Sequence, residues 1–412
     1  MTEVIHTDVA IIGSGPAGLS AATELKKRGI TNVMVLEREQ VAGGIPRHCA
    51  HPPYGVLEYH QLMTGPTFAK RNVQEAQKAG VDIRIGTTVI ALNPDGELDV
   101  MSSSGPYKIK AQRVLLSTGV RETPRSARFV GGDRPIGVYN TGALQNFVHL
   151  KGKKPFLRPL IVGTELVSLS AIATCRKVGI KPVAMIDSQS SATTYSALMM
   201  YPKLSGVPVY YGANLESIHG IGRVEGATLR FADGSTQDIA CDGILFTGKF
   251  TPDSALIRPS HLLLDNGTGG PLVDQNGRCS DPSYFAAGNV LRPVETAGWS
   301  YREAKRIGRF IAQDLAKPPA SPVSNITVEV EHPIRFCVPQ KLVLNTTAAL
   351  PHLQLRVAQA VRGHIEVSSN GNVLYSKKVN TQPERRILIP LDKIALEHVC
   401  NGKLEIRVTD NG

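Results

Sequence analysis

Val9-Ala-Ile-Ile-Gly-Ser-Gly-Pro-Ala-Gly18, an apolar run that passes straight into G-x-G-x-x-G, decides how this chain begins to fold. The run reads as a buried strand, and the glycines mark a turn into a helix. Gly13 permits the tight turn, Gly15 lets the backbone approach a pyrophosphate at the helix N-terminus, and Gly18 lets helix and strand pack closely. A second apolar strand, Val33-Met-Val-Leu36, ends at Glu37, 19 residues beyond Gly18, where a carboxylate is placed to bind ribose hydroxyls. Strand, turn, helix, strand and acid in this order predict a dinucleotide site built from Gly13, Ser14, Gly15, Pro16, Ala17, Gly18, Glu37 and Arg38.

Three further segments close on small-residue turns. Gly43-Gly44 follows the acid, Arg113-Val-Leu-Leu-Ser-Thr118-Gly119 ends another apolar strand, and Ser283-Tyr-Phe-Ala-Ala-Gly288-Asn289 ends a fourth. In order and spacing they resemble flavoproteins with two dinucleotide-binding domains, and the resemblance implies FAD as cofactor. It also implies that Gly43-Gly44 lies beside the flavin, that Thr118-Gly119 ends the first FAD segment, and that Gly288-Asn289 approaches the ribityl chain. Asn289 stands where that pattern has aspartate; an amide still bonds a ribityl hydroxyl. Val89, Thr296 and Ala297 complete the expected cofactor-binding set. The helix expected through Glu303–Leu315 should turn its N-terminus toward the flavin N1/O2 edge, favouring an anionic reduced flavin.

The chain has 412 residues, too many for one ordinary core, and its 42% hydrophobic content and 39 glycines suit an α/β protein of two or three domains. Its formal charge of +11 is spread along the sequence. We read it as a solvated surface, with contact to an acidic partner or a membrane face as the alternative, and find no nucleic-acid motif. Six cysteines, at 49, 175, 241, 279, 337 and 400, show no C-x-x-C, so no metal, chain-borne iron–sulfur cluster or disulfide framework is expected. The N-terminus has no basic n-region and no apolar run is long enough to span a bilayer, which predicts a cytoplasmic protein.

The expected fold is α/β, with two Rossmann-like dinucleotide-binding domains of the glutathione-reductase type and a small C-terminal all-β domain. Residues 1–125 form the first FAD-binding segment, with a helical stretch near Tyr59–Gly80, a strand at Val81–Ile85 and a β-rich excursion through Thr87–Lys110. Residues 126–250 form an NAD(P)-binding-like domain, and 251–318 return to the FAD domain. Lys317-Pro-Pro-Ala-Ser-Pro322 reads as a linker. Residues 325–412 alternate polar and apolar around an Asn370-Gly371 hairpin signal, predicting a β-sandwich-like interaction module. In the second domain Pro159-Leu-Ile-Val162 leads into Gly163-Thr-Glu-Leu-Val-Ser168, and Pro182–Asp187 supplies the strand ending in an acid. Only the first fingerprint glycine survives there. Glu165 stands where backbone should approach a pyrophosphate, and a carboxylate facing phosphate in a low-dielectric crevice repels it. This argues against ordinary NAD(P)H binding and for a domain kept as scaffold.

The loop Gly43-Gly-Ile-Pro-Arg-His-Cys-Ala-His-Pro-Pro-Tyr-Gly55 should lie beside the isoalloxazine. Disulfide reductases of this class carry paired cysteines here; this chain has Cys49 alone, so thiol–disulfide exchange through a pair within the loop is not open to it. Arg47, His48, Cys49 and His51 are the catalytic candidates: the cation and imidazoles suit anion binding, proton transfer or stabilisation of flavin charge, and Arg47 is also a cofactor candidate. A rigid loop whose polar groups serve backbone and cofactor is the alternative. From Asp8 to about Ile311 the chain resembles the FAD-binding α-type subunits of multi-subunit bacterial dehydrogenases, such as opine oxidase, hydrogen cyanide synthase and dye-linked proline dehydrogenase, within the pyridine-nucleotide-disulfide oxidoreductase superfamily. Gly-Ser-Gly-Pro-Ala-Gly, Gly-Gly-x-x-Arg-His-Cys, Ser-Thr-Gly-Val-Arg-Glu-x-Pro-Arg125 and Phe-Ala-Ala-Gly-Asn carry it. The resemblance implies a hetero-oligomer that oxidises an amine or imino acid, its other members being a small iron–sulfur protein and a second, D-amino-acid-oxidase-like flavoprotein subunit. A free-standing NAD(P)H-dependent flavin reductase or oxidase, and a flavin-bound assembly protein without turnover, are the alternatives.

Overall fold

The computed structural model describes residues 4–317, 325–344 and 348–409; beyond Lys317, the expected linker lies outside them. The Val4–Ile12 strand is central to a seven-stranded sheet, flanked in parallel by Val33–Leu36 and by the long strand Gly105–Leu116. Tyr284–Ala286, arriving from far along the chain, pairs in parallel with the end of that long strand. Registers align Ile12 with Leu36 and with Leu116, and Leu116 with Ala286. Four carboxyl ends thus lie on one edge, and Gly13, Glu37, Ser117 and Ala287 emerge there side by side. Ligands of open α/β sheets bind along this edge. The β-rich excursion forms antiparallel strands Thr88–Asn93 and Glu97–Ser102, and the helical stretch forms Gly65–Lys78.

A five-stranded parallel sheet repeats the plan around Pro159–Val162, with a four-stranded sheet beside it and the helix Leu166–Lys177 after its turn. A two-stranded ribbon, Val120–Glu122 with Phe250–Pro252, lies where the chain leaves this unit and returns to the first. Beyond residue 325, sheets of five and three strands enclose an apolar core. Asn370 and Gly371 both adopt positive φ (49° and 81°) between paired strands Val361–Ser369 and Asn372–Thr381, as a two-residue hairpin requires.

The sandwich is not an appended module. Phe336, Val338, Ala349 and Leu350 belong to the apolar core of the first domain. Backbone bonds run from Gln340 N–H to the Val273 carbonyl (3.1 Å) and from Leu350 N–H to the Gln275 carbonyl (2.7 Å). The last helix also departs from expectation: it runs Ala297–Ala316, starting six residues before Glu303, because the Thr296 hydroxyl accepts the Trp299 N–H (3.3 Å) and caps it. No helix among the described residues is long and apolar enough to cross a membrane.

Candidate functional site

The fingerprint glycines divide their tasks. A methyl on Gly18 would run into the Gly13 carbonyl and Ser117 Oγ, and one on Gly13 into the Ser117 backbone, so both are fixed by packing. A methyl on Gly15 would meet nothing within 4 Å. Pro16 and Ala17 open the helix Pro16–Lys27 with no side-chain cap and no acid in the first turn, leaving its N–H groups and positive dipole end for an anion. The Glu37 carboxylate is buried at the end of its strand. Its Oε2 accepts Ser14 N–H (3.1 Å) and Ser14 Oγ–H (2.5 Å), and its Oε1 accepts Glu39 N–H (2.9 Å). Ser14 Oγ in turn accepts Gly43 N–H (3.1 Å), and Gly44 lies so close to Gly15 that a methyl on it would sit 2.7 Å from Gly15 Cα.

Other expected residues converge on this edge by routes the sequence does not display. Asp253 pairs with Arg38 (3.7 Å) and Arg121, while its carbonyl accepts the Thr118 hydroxyl (2.8 Å) and its N–H meets the Gly119 carbonyl (2.9 Å). Gly119 has open space around it. Val89 is buried in the core, two residues after Thr87, whose N–H bonds the Glu37 carbonyl (2.8 Å). Gly288 packs on Ala17 and Ser300. Asn289 is committed differently from the sequence reading: both ends of its amide bond the Glu295 backbone. Ala297 begins the last helix, and the Glu58 carboxyl lies against Gly298 in its first turn. Glu58 Oε1 is buried without a partner, and burial pushes that carboxyl above its ordinary pKa.

The loop candidates are less reactive than their identities suggest. Burial pushes the Cys49 thiol up to about 11; its sulfur lies 3.4 Å from Gln145 Oε1 and 3.5 Å from the Ile45 carbonyl. A thiol so placed is a poor nucleophile near neutral pH, because the thiolate is the nucleophile. Burial, then the Arg47 and His149 charges, push His48 down to about 4, so its ring is neutral near pH 7; its Nδ1 is buried without a partner. Arg47 is spent on Glu39 and, at 3.3 Å, the Gly44 carbonyl, bracing the loop. His51 Nδ1 lies 2.9 Å from the Pro52 carbonyl. The open face of Gly15, the uncapped helix and the orphaned atoms of His48 and Glu58 fit a bound dinucleotide and flavin. Ser117 and Asp253 escaped the sequence reading. Ser117 lies in the Ser-Thr-Gly turn itself, whereas Asp253 acts across the fold and leaves no local pattern.

The second domain keeps the acid and loses the opening. Thr164 Oγ–H donates to Asp187, whose other oxygen accepts Gln189 N–H (2.9 Å), and Thr164 Oγ accepts Thr193 N–H (3.0 Å). Ser14, Glu37, Glu39 and Gly43 make the same set of bonds 150 positions earlier. Glu165, the counterpart of Gly15, turns its carboxyl inward to Thr247 Oγ1 (3.0 Å) and Ser168 Oγ (3.3 Å). A methyl on Gly163 or on Gly248 would collide with that carboxyl, which therefore fills the space between the two glycines. Burial raises its pKa to about 7; Thr247 and the nearby Arg128 oppose the rise, and Asp187 adds to it.

Residues 7–304 match the family model of the pyridine nucleotide-disulphide oxidoreductases. The chain belongs to that family. It is an FAD-dependent oxidoreductase, in a family where NAD(P) also takes part. The A subunit of the opine oxidase of Rhizobium meliloti (strain 1021) is 25% identical over 197 residues, 47% of this chain and 42% of that one. The alpha subunit of the sarcosine oxidase of Corynebacterium sp. (strain P-1) is 28% identical over 225 residues, 51% of this chain and 22% of that one. The match thus spans less than half the length of either relative. Thioredoxin reductase of T. acidophilum shares the fold, with a TM-score of 0.63 at 21% identity, covering 76% of this chain and 99% of that one. The resemblance to α-type oxidase subunits drawn from the motifs stands.

Proposed function

We propose that this oxidoreductase is the flavin-bearing, electron-transferring subunit of a complex that oxidises an amine or imino acid, and that its flavin exchanges electrons with partner proteins rather than with NAD(P)H. The partners we assign are a small iron–sulfur protein and a D-amino-acid-oxidase-like flavoprotein subunit; the compartment is the cytoplasm. The observation that carries the reading is the Glu165 carboxyl lodged between Gly163 and Gly248, in the turn where a nicotinamide dinucleotide would lay its pyrophosphate. Bound FAD supplies acceptance of an electron pair and its release in single steps. The chain's own part is to hold that group: Gly15 and the uncapped helix receive the pyrophosphate, Glu37 the ribose, and Gly43-Gly44, Thr118-Gly119 and Gly288 the remainder. His48 contributes a neutral imidazole whose buried Nδ1 is left to bond a group in the cleft. The names of the matched relatives, subunits of opine and sarcosine oxidases, support this assignment of substrate class.

The test is anaerobic mixing of the FAD-loaded chain with NADH, with NADPH, and with secondary amines and imino acids, following flavin absorbance. We expect no rapid bleaching by either nicotinamide, and reduction by an amine only when the partner proteins are present. Bleaching within seconds by NADH or NADPH would overturn the reading and make the chain a nicotinamide-dependent reductase. The double substitution Glu165→Gly with Ser168→Gly is expected to create measurable nicotinamide binding.

A further inference from the structure

The segment from Gly288 to Trp299, which carries the expected cofactor-binding residues Gly288, Asn289, Thr296 and Ala297, is not held by its own domain alone. Asn289 spends its amide on Glu295, its Oδ1 accepting the Glu295 N–H (2.8 Å) and its Nδ2 donating to the Glu295 carbonyl (3.1 Å). An ionised aspartate makes the first bond and not the second, which accounts for an asparagine here. The Glu295 side chain is fully buried, accepts from Arg356 (2.7 Å) and Arg386, and forms an ion pair with Arg292 Nε at 3.4 Å. Arg356 and Arg386 belong to the C-terminal sandwich. Arg386 also lies over the Trp299 ring, 3.7 Å from its centroid, and Arg356 reaches the Val294 carbonyl (3.3 Å). Glu303 repeats the link nearer the fingerprint: it accepts Gly288 N–H (3.0 Å), Arg292 (2.6 Å) and Gln354 Nε2 (3.3 Å), the last again from the sandwich.

Removing one partner from a buried ion cluster leaves charge uncompensated in a medium that solvates it poorly, so sandwich and segment cannot part cheaply. Three guanidiniums against two carboxylates also leave the cluster net positive, beside a segment that faces the cofactor. We propose that Arg356 and Arg386 are positioning residues of the flavin site, acting through Glu295 to fix the Gly288–Trp299 segment, so that the C-terminal sandwich is a working part of the cofactor site. This rests on FAD occupying the fingerprint cleft.

The test uses the full chain with Arg386→Ala and Arg386→Lys. Trp299 is the only tryptophan in the sequence, so its emission follows FAD titrated into the apoprotein. The midpoint potential of the bound flavin is the second readout. Arg386→Ala should weaken FAD about tenfold, within the usual range of coupling between two sites, and move the potential negative. Arg386→Lys returns the charge without the planar fork and stacking, so both effects should be smaller in it. A folded Arg386→Ala chain with the parental potential, whatever its FAD affinity, would overturn the proposal by making Arg386 a purely structural residue. Should the alanine variant not fold, the lysine variant decides: altered potential supports the proposal, parental potential sinks it. A parent chain that takes up no FAD would sink the proposed function itself, a result distinct from either.

Discussion

Gly15 and Glu165 occupy the same place in two successive copies of one turn, and they differ in the space they leave: Gly15 leaves it open, and the Glu165 carboxyl fills it. Gly15 has φ −73° and open space for a Cβ, so a methyl there is unstrained in the protein alone. Gly15→Ala should therefore fold with apoprotein stability within about 1 kcal/mol of the parent and bind FAD more weakly, as denaturation and flavin content will show. Gly18→Ala should instead destabilise the chain, because its methyl meets backbone. At Glu165 the sign of the pH dependence is fixed by a carboxyl raised from its ordinary 4.5 to about 7. The folded state disfavours the charged form, so its contribution is neutral below about pH 4.5 and becomes increasingly unfavourable as pH rises toward 7. Glu165→Gln, neutral throughout, should match the parent near pH 4 and exceed it by about 2 kcal/mol at pH 8, allowing for the partly exposed edge of the side chain. Equal urea midpoints at pH 8 would refute this.

Among the elements, the aligned strand ends do most to build the site. The short apolar strands announce themselves by composition, and the glycines and acid that follow them mark which end matters, so the first domain was legible from local sequence. The last helix was less so. Thr296-Ala-Gly298 looks like loop, since glycine opposes helix and the capping role of threonine appears only once the Trp299 N–H is seen to turn toward it. Thr296→Ala should cost about 1 kcal/mol, read from chemical denaturation. The contacts of Asn289 are hidden from sequence for a related reason: its amide partner is six residues away in a loop whose shape no periodicity encodes. Arg47, His48 and Cys49 were found as residues but not as environments. Burial keeps the thiol protonated and the imidazole neutral, and burial is a property of the assembled fold.

For the whole molecule, the sandwich completes the core of the first domain, although alternation of polar and apolar residues suggested an independent unit. A chain ending at residue 317 would uncover the apolar surface now met by Phe336, Val338 and Leu350. It should aggregate on expression and retain no flavin. Acid should loosen the same joint. Burial alone would raise the Glu295 pKa, but Arg292, Arg386 and Arg356 hold it below the ordinary 4.5. Its stabilisation is thus complete above about pH 4.5 and disappears as pH falls through the lower folded value. Trp299 emission should report loosening in that window, and Glu295→Gln should remove this pH dependence. The matched bonds of Ser14 with Glu37 and of Thr164 with Asp187 are, in turn, the mark of a duplicated unit whose halves have drifted apart. On the proposed function the second half serves as a scaffold, and its ribose-side framework still stands. Glu165 and Ser168 stand where the first half has Gly15 and Gly18, so on that reading a selection that rewards nicotinamide use has a short path to follow.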